Sequence, residues 1–369
     1  MAVLLMVSAW LLVSCVEQSV LEKLGISVAL GFDALPPDKL HVTSVIINPT
    51  ANSEKQSKVI STTADSGKGA RIKLNSKLSH TSVSGQVRVV VFDDQLGRIG
   101  ISDVIENLSR DPFLGDSIYL AMSNGSSHEM LAHKYSQIPD IGTYLYEMLQ
   151  QHIQDDWVLS CTVQDFRSAM YSIGGDAVLP ILKMKGDSVE ISGLVLFRDD
   201  KVVGSLGPGE GYLLKLIRGK QKENLKEVQI DRRELQPHLI KKEGGKVHVV
   251  ISNLGSKAHI RLTSMRPLEY QVNVRMNVEL QEITAHYDFN NKAATPLLER
   301  KIAEALTKET DQMIHKLQQL KTDVIGFGNV YRSVVRHSHL SRGKWQEMYP
   351  EAKIHTKFKV NLIRTGTIE

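Results

Sequence analysis

The chain has 369 residues, 42% of them apolar and 23% charged, a composition that supports two or three cored domains and excludes a disordered or fibrous protein. Its net charge of +4 is spread with Lys and Arg interleaved among Asp and Glu, so no basic block points to nucleic acid, and overall attraction to an anionic membrane is weak. The only cysteines are Cys15 and Cys161, so modification of the first leaves no internal disulfide.

The first element is an apolar run from Ala2 to Val16, too short for the roughly 20 residues that span a bilayer. It ends in Leu12-Val13-Ser14-Cys15, the pattern at which bacteria attach diacylglycerol to a cysteine sulfur and cleave before it. The thiol is the nucleophile that takes the lipid, and small Ser14 admits a peptidase to the bond. No Lys or Arg precedes the run, and a buried strand or core helix is the competing reading. On the lipoprotein reading residues 1–14 are a signal peptide, and the mature chain starts at Cys15 on the extracytoplasmic face of a membrane.

Gly25 to Phe32 and Leu40 to Ile47 alternate as two strands of a hairpin around Pro36-Pro37. Ser53 to Leu78 is polar, with an exposed loop expected at Gly67 to Gly69. Val87 to Phe92 is continuous and apolar, as in a strand buried on both faces. Helices are expected from Ser102, from Ser127 to His133, after Asp140 and over Val163 to Met170, with a strand at Ile118 to Met122. This alternation predicts an α/β domain over 15–185.

Strands at Val189 to Phe197, Val247 to Ile251 and Ile260 to Leu262, with an Asp199-Asp200 hairpin turn and a glycine-rich turn from Gly204 to Gly211, predict a small β-rich middle domain over 186–265. In the remaining domain, 266–369, Tyr270 to Leu280 and Ile354 to Leu362 alternate strictly. Between them Thr295-Pro296 opens an amphipathic helix that reaches about Lys321 and runs on the order of 35–40 Å. Shorter helices are expected around Tyr331 and Trp345. The expected fold class is therefore α+β and multi-domain, closing with an antiparallel sheet that carries helices on one face.

The chemistry-bearing residues form no recognised constellation. His128 and His133 are five apart, about 140° around a helix, and do not face one metal. Gly204 to Gly211 lacks the Lys-Ser/Thr pair of a phosphate loop, and Arg336-His337-Ser338-His339 reads as a polar loop. No Gly-x-Ser-x-Gly elbow is present, Asp93-Asp94 and Asp199-Asp200 stand at strand ends, and Cys161 sits among apolar residues as a buried thiol. No catalytic group, metal or cofactor is expected.

The chain resembles the C-subunit lipoproteins of spore germinant receptors, the GerAC type of endospore-forming bacteria. The resemblance runs through the lipobox cysteine, Ala29-Leu30-Gly31-Phe32-Asp33, Gly85 to Phe92, Arg110-Asp111-Pro112 and Gly193 to Gly204. Its most specific part is Thr322-Asp323-Val324-Ile325-Gly326-Phe327-Gly328 with the ending Leu362-Ile363-Arg364-Thr365-Gly366. The family's Trp after the anchor cysteine is missing, and a family glutamate is replaced by Asp93 or Asp94.

The resemblance implies a non-catalytic protein on the outer face of the spore inner membrane, working with A-type and B-type integral membrane subunits. Lipidation is expected at Cys15. Gly326 and Gly328 are expected to permit the turn after the long helix, with Asp323 capping that turn or pairing with Arg364, and Gly366 as a further turn or interface position. A solute-binding lipoprotein of a transporter is the alternative, and a secreted hydrolase a third.

Overall fold

The computed structural model describes residues 24–47, 57–77, 81–83, 86–112, 114–219, 224–239 and 245–364; Cys15 and Gly366 lie outside them. The first half is built on nine strands: β1 (Leu24–Leu35), β2 (Lys39–Ile47), β3 (Lys58–Ala64), β4 (Thr81–Val83), β5 (Val89–Phe92), β6 (Tyr119–Ser123), β7 (Val178–Lys185), β8 (Ser188–Arg198) and β9 (Lys201–Leu206). They form one sheet in the order β3-β2-β1-β5-β6-β7-β8-β9, with β4 also beside β1. β1, β5, β6 and β7 run parallel, and hairpins add antiparallel wings on both sides.

Six helices accompany this sheet: α1 (Gly67–Asn75), α2 (Asp94–Ile99), α3 (Ser102–Ser109), α4 (Ser127–Ala132), α5 (Ile141–Gln154) and α6 (Val163–Met170). β5 shows why its sequence is apolar throughout. Val90 and Phe92 join a core with Leu74 of α1, Ile105 of α3 and Phe166 of α6. Val89 and Val91 point the other way, onto Leu131 of α4 and Leu145 of α5. All four strand residues are fully buried, each worth roughly 1.5–3 kcal/mol.

The structure differs from the sequence expectation in this half at three places. The polar stretch before residue 78 holds β3 and α1, and Ser66 Oγ caps α1 by accepting the Gly69 N–H at 3.1 Å, so Gly67 to Gly69 opens a helix. Gly204 to Gly211 is not simply a turn, because α7 (Pro208–Arg218) starts inside it. Pro208 takes the first turn and Glu210 Oε2 accepts the Gly207 N–H at 2.8 Å. The expected β-rich unit over 186–265 forms no sheet of its own. The tight turns at Gly186-Asp187 and Asp199-Asp200 hold β8 and β9 in the first sheet, and its later strands open the second.

That second sheet has the order β10 (Asn224–Asp231), β11 (Lys246–Met265), β12 (Leu268–Ile283) and β13 (Lys353–Arg364). The short α8 (Arg232–Leu235) follows β10, and α9 (Ala294–Gln319), α10 (Phe327–Val334) and α11 (Arg342–Met348) lie between β12 and β13. β11 is one 20-residue strand where two were expected. A bulge at Asn253/Gly255, with Asn253 Oδ1 accepting the Gly255 N–H at 3.2 Å, absorbs the glycine without turning the chain.

The expected antiparallel arrangement holds for β10, β11 and β12, but β13 pairs parallel to β12. The 26 residues of α9 carry the chain back along the sheet, so β13 starts at the same end as β12. α9 begins at Ala294, one residue before Thr295, and its N-cap, Ala293, makes no side-chain bond. The molecule thus has mixed α and β content in two sheets. Leu194 and Leu196 of β8, Leu213 and Leu216 of α7, the inner face of the second sheet and Leu298 to Leu317 of α9 share a single core, which joins the two.

Candidate functional site

The joint between the sheets is organised by the segment that follows α9. Lys321 turns the chain at φ +54°, and Thr322 Oγ1 donates to the Phe197 carbonyl of β8 at 2.5 Å. Asp323, 1% exposed, comes next. Its Oδ1 accepts N–H bonds from Gly326 at 2.8 Å and Phe327 at 3.1 Å. Its Oδ2 accepts from Gly328 N–H at 2.8 Å and from Trp345 Nε1–H at 3.0 Å. One carboxylate therefore closes the start of α10 and pins α11 to it. Gly326 lies in the left-handed region at φ +94°, which a side chain would strain.

Across the joint stands Gly174, ahead of β7. A Cβ on Gly328 would come within 2.5 Å of Gly174 Cα and 2.7 Å of the Trp345 ring, so two backbones meet there without side chains. Asn329 N–H donates to the Gly174 carbonyl at 3.0 Å. Asp176 and Asp323 exchange bonds: Asp323 N–H reaches Asp176 Oδ2 at 2.7 Å, and Asp176 N–H reaches the Asp323 carbonyl at 3.0 Å. Arg342 of α11 completes the clamp. Its Nη1 donates to the Met170 and Ser172 carbonyls at 2.7 and 2.6 Å, its Nη2 meets Asp176 Oδ1 at 2.6 Å, and its Nε lies 2.5 Å from Asp199.

Burial pushes the Asp323 carboxyl up to about 6 against the pull of its N–H donors. Burial also raises Asp176, while the Asp323 N–H and the Arg342 guanidinium oppose it. Arg364 closes β13 opposite Glu279, and its side chain lies outside what the structure describes. Among the described residues, the Asp323 carboxylate oxygens accept from the four N–H groups already named.

A second polar knot sits in the first half. Asp33, at the end of β1, accepts from Ser126 Oγ, Ser127 N–H, Ser127 Oγ and His128 N–H at 2.6–3.0 Å and so holds the start of α4. Asp93 Oδ1 accepts from Leu96 N–H at 2.8 Å and Ala34 N–H at 3.2 Å, capping α2, and burial pushes its carboxyl up to about 6. His128 Nδ1 meets Thr43 Oγ1 at 2.8 Å, and its ring stands edge-on to His41. Burial, then the neighbouring His128, lowers His41 from its ordinary value. His133 lies instead 3.9 Å from Asp187, so the two histidines of that segment serve different neighbours. Burial pushes the Cys161 thiol up to about 12, an inert state. Among the described residues no three metal-ligating side chains cluster, and no helix is long and apolar enough to cross a membrane.

Two family models match the chain in tandem. The spore germination protein N-terminal domain covers residues 17–184, and the spore germination B3/GerAC like, C-terminal model covers 192–366. The chain belongs to the GerAC family of spore germination proteins. The interval between the two GerAC models falls in the β7–β8 hairpin, inside one sheet. Spore germination protein GerQC of Bacillus cereus is 22% identical across 100% of this chain and 99% of its own length. Spore germination protein KC of Bacillus subtilis is 21% identical, over 99% of this chain and 95% of its own. The crystal structure of the GerBC protein shares the fold with a TM-score of 0.55 at 17% identity, over 90% of this chain and 96% of that one.

The joint brings Asp323, Gly326 and Gly328 together. Sequence reasoning did not find Gly174, Asp176, Arg342 and Trp345, which close on them. An isolated Gly174-Gly175 pair and a lone Trp345 were the only signals those partners gave.

Proposed function

We propose that this chain is a lipid-anchored, non-catalytic subunit of a nutrient germinant receptor, held by Cys15 on the outer face of the spore inner membrane and docked on A-type and B-type membrane subunits. The observation that carries the reading is the order of parts: a lipobox cysteine, then both GerAC domains across the rest of the chain. Two acyl chains on one cysteine give stable anchoring where a single chain is marginal. The carboxylates of Asp33, Asp93 and Asp323 are engaged by backbone N–H groups, which suits a rigid docking body better than an active centre. A nine-stranded mixed sheet and a four-stranded sheet are dissimilar lobes, which disfavours a two-lobed solute-binding protein.

The test is Cys15→Ala in sporulating cells. The variant is expected to fold, to leave the membrane fraction and to lose co-purification with the A-type and B-type subunits. Retention in the membrane with the receptor assembled contradicts the proposal.

A further inference from the structure

The face of the second sheet that turns away from the shared core gathers cations that the modest net charge hides. Lys257 of β11 stands opposite Arg275 of β12, and Arg275 stands opposite Lys359 of β13. The neighbouring row adds Lys357, and the row beyond it Arg261. All five side chains are exposed, and no carboxylate occupies any position of these three rows. Among the described residues none of the five makes an ion pair. The closest acidic neighbours along the strands are Glu269, engaged 3.7 Å from Lys353, and Glu279, further along β12. Lys257, Arg275, Lys357 and Lys359 border a concavity of about 550 Å³.

Like charges directly opposite one another in a ladder destabilise a sheet. Strands lie about 4.8 Å apart and alternate residues about 7 Å apart, within the Debye length of about 8 Å at physiological salt. By these spacings Lys257, Arg275, Lys357 and Lys359 act as one field, with Arg261 further along β11, and their mutual repulsion is relieved by an anionic surface laid against them. We propose that this face docks on the phosphodiester headgroups of an anionic lipid bilayer. The occupant rests on the reading that Cys15 tethers the chain to a membrane, because a tether holds the headgroups at high effective concentration. Duplex DNA fits less well: its major groove admits a two-stranded ribbon, and the cationic row here crosses three strands. Single strands need Phe, Tyr or Trp platforms, which the three rows do not carry.

The test uses the full-length Cys15→Ala chain with and without Lys257→Gln, Arg275→Gln, Lys357→Gln and Lys359→Gln. Each is co-sedimented with vesicles of phosphatidylcholine alone or with about one-third phosphatidylglycerol. Binding is expected only to the anionic vesicles, weakening with salt, and falling on the order of a thousandfold in the neutralised chain. The neutralised chain is expected to melt no lower than its parent; if it does, Arg275→Gln and Lys359→Gln singly carry the comparison.

Equal binding to both vesicle types overturns the proposal, as does anionic-vesicle binding that survives neutralisation. Preferential capture of a DNA oligonucleotide over the anionic vesicles also overturns it. Mass analysis of native Cys15 separates this inference from the reading beneath it. Acylated Cys15 without a headgroup preference overturns only the docking face. Unmodified Cys15 with that preference intact overturns only the tether.

Discussion

At Gly328 the constraint is contact: Gly174 Cα and the Trp345 ring already occupy the space a methyl group needs. Gly328→Ala is expected to cost about 1–3 kcal/mol and, in a chain of this length, to lower Tm by roughly 1–4 °C, read by thermal denaturation. Asp93 tests electrostatics. Burial pushes its carboxyl up to about 6, above the ordinary 3.8, so the folded state holds the proton more tightly. Its contribution to stability is full below pH ~4 and is lost as pH rises through ~6. Asp93→Asn keeps an oxygen for the Leu96 and Ala34 N–H groups and removes the titration. The unfolding free-energy difference between variant and wild type, measured by denaturant titration, should therefore move in the variant's favour from pH 4 to pH 7 by about 2 kcal/mol. A constant difference across that range contradicts the assignment.

Among the elements, α11 gains its place from Arg342 as much as from Trp345. Removing the guanidinium leaves Asp176 buried beside Asp323 without its cation, and strips the Met170 and Ser172 carbonyls of a donor. Arg342→Ala is expected to cost about 3–5 kcal/mol, measured by denaturant unfolding, and Arg342→Lys to restore only part of it because Lys lacks the planar fork. The strands at Tyr270 and Ile354 and the helix from Leu298 to Leu317 were readable because one buried face imposes a period of 2.0 or 3.6.

Alternation fixes which side chains are buried and is silent about direction, so the parallel pairing of β13 emerges only once α9 is seen crossing back. Gly255 illustrates a second limit: a glycine in a strand serves a bulge as well as a turn. In the joint, the partners of the Asp323–Gly328 segment include Gly174, Asp176, Tyr270 and Trp345, most of them far off in sequence, and no local pattern encodes such a meeting.

For the whole molecule, the shared core matters more than the number of sheets. It runs from β8 through α7 to α9, so a cut at the β7–β8 hairpin divides a sheet and not two bodies. On the proposed reading, a rigid two-sheet body behind a lipid anchor serves as a docking piece, and its contribution should be visible in the spore. The most direct measurement is germination of spores lacking this chain against a panel of amino acids and sugars. The account predicts that the response to at least one nutrient is lost, is restored by the wild-type gene and is not restored by Cys15→Ala. Wild-type germination rates on every nutrient that triggers the parent spores would contradict it.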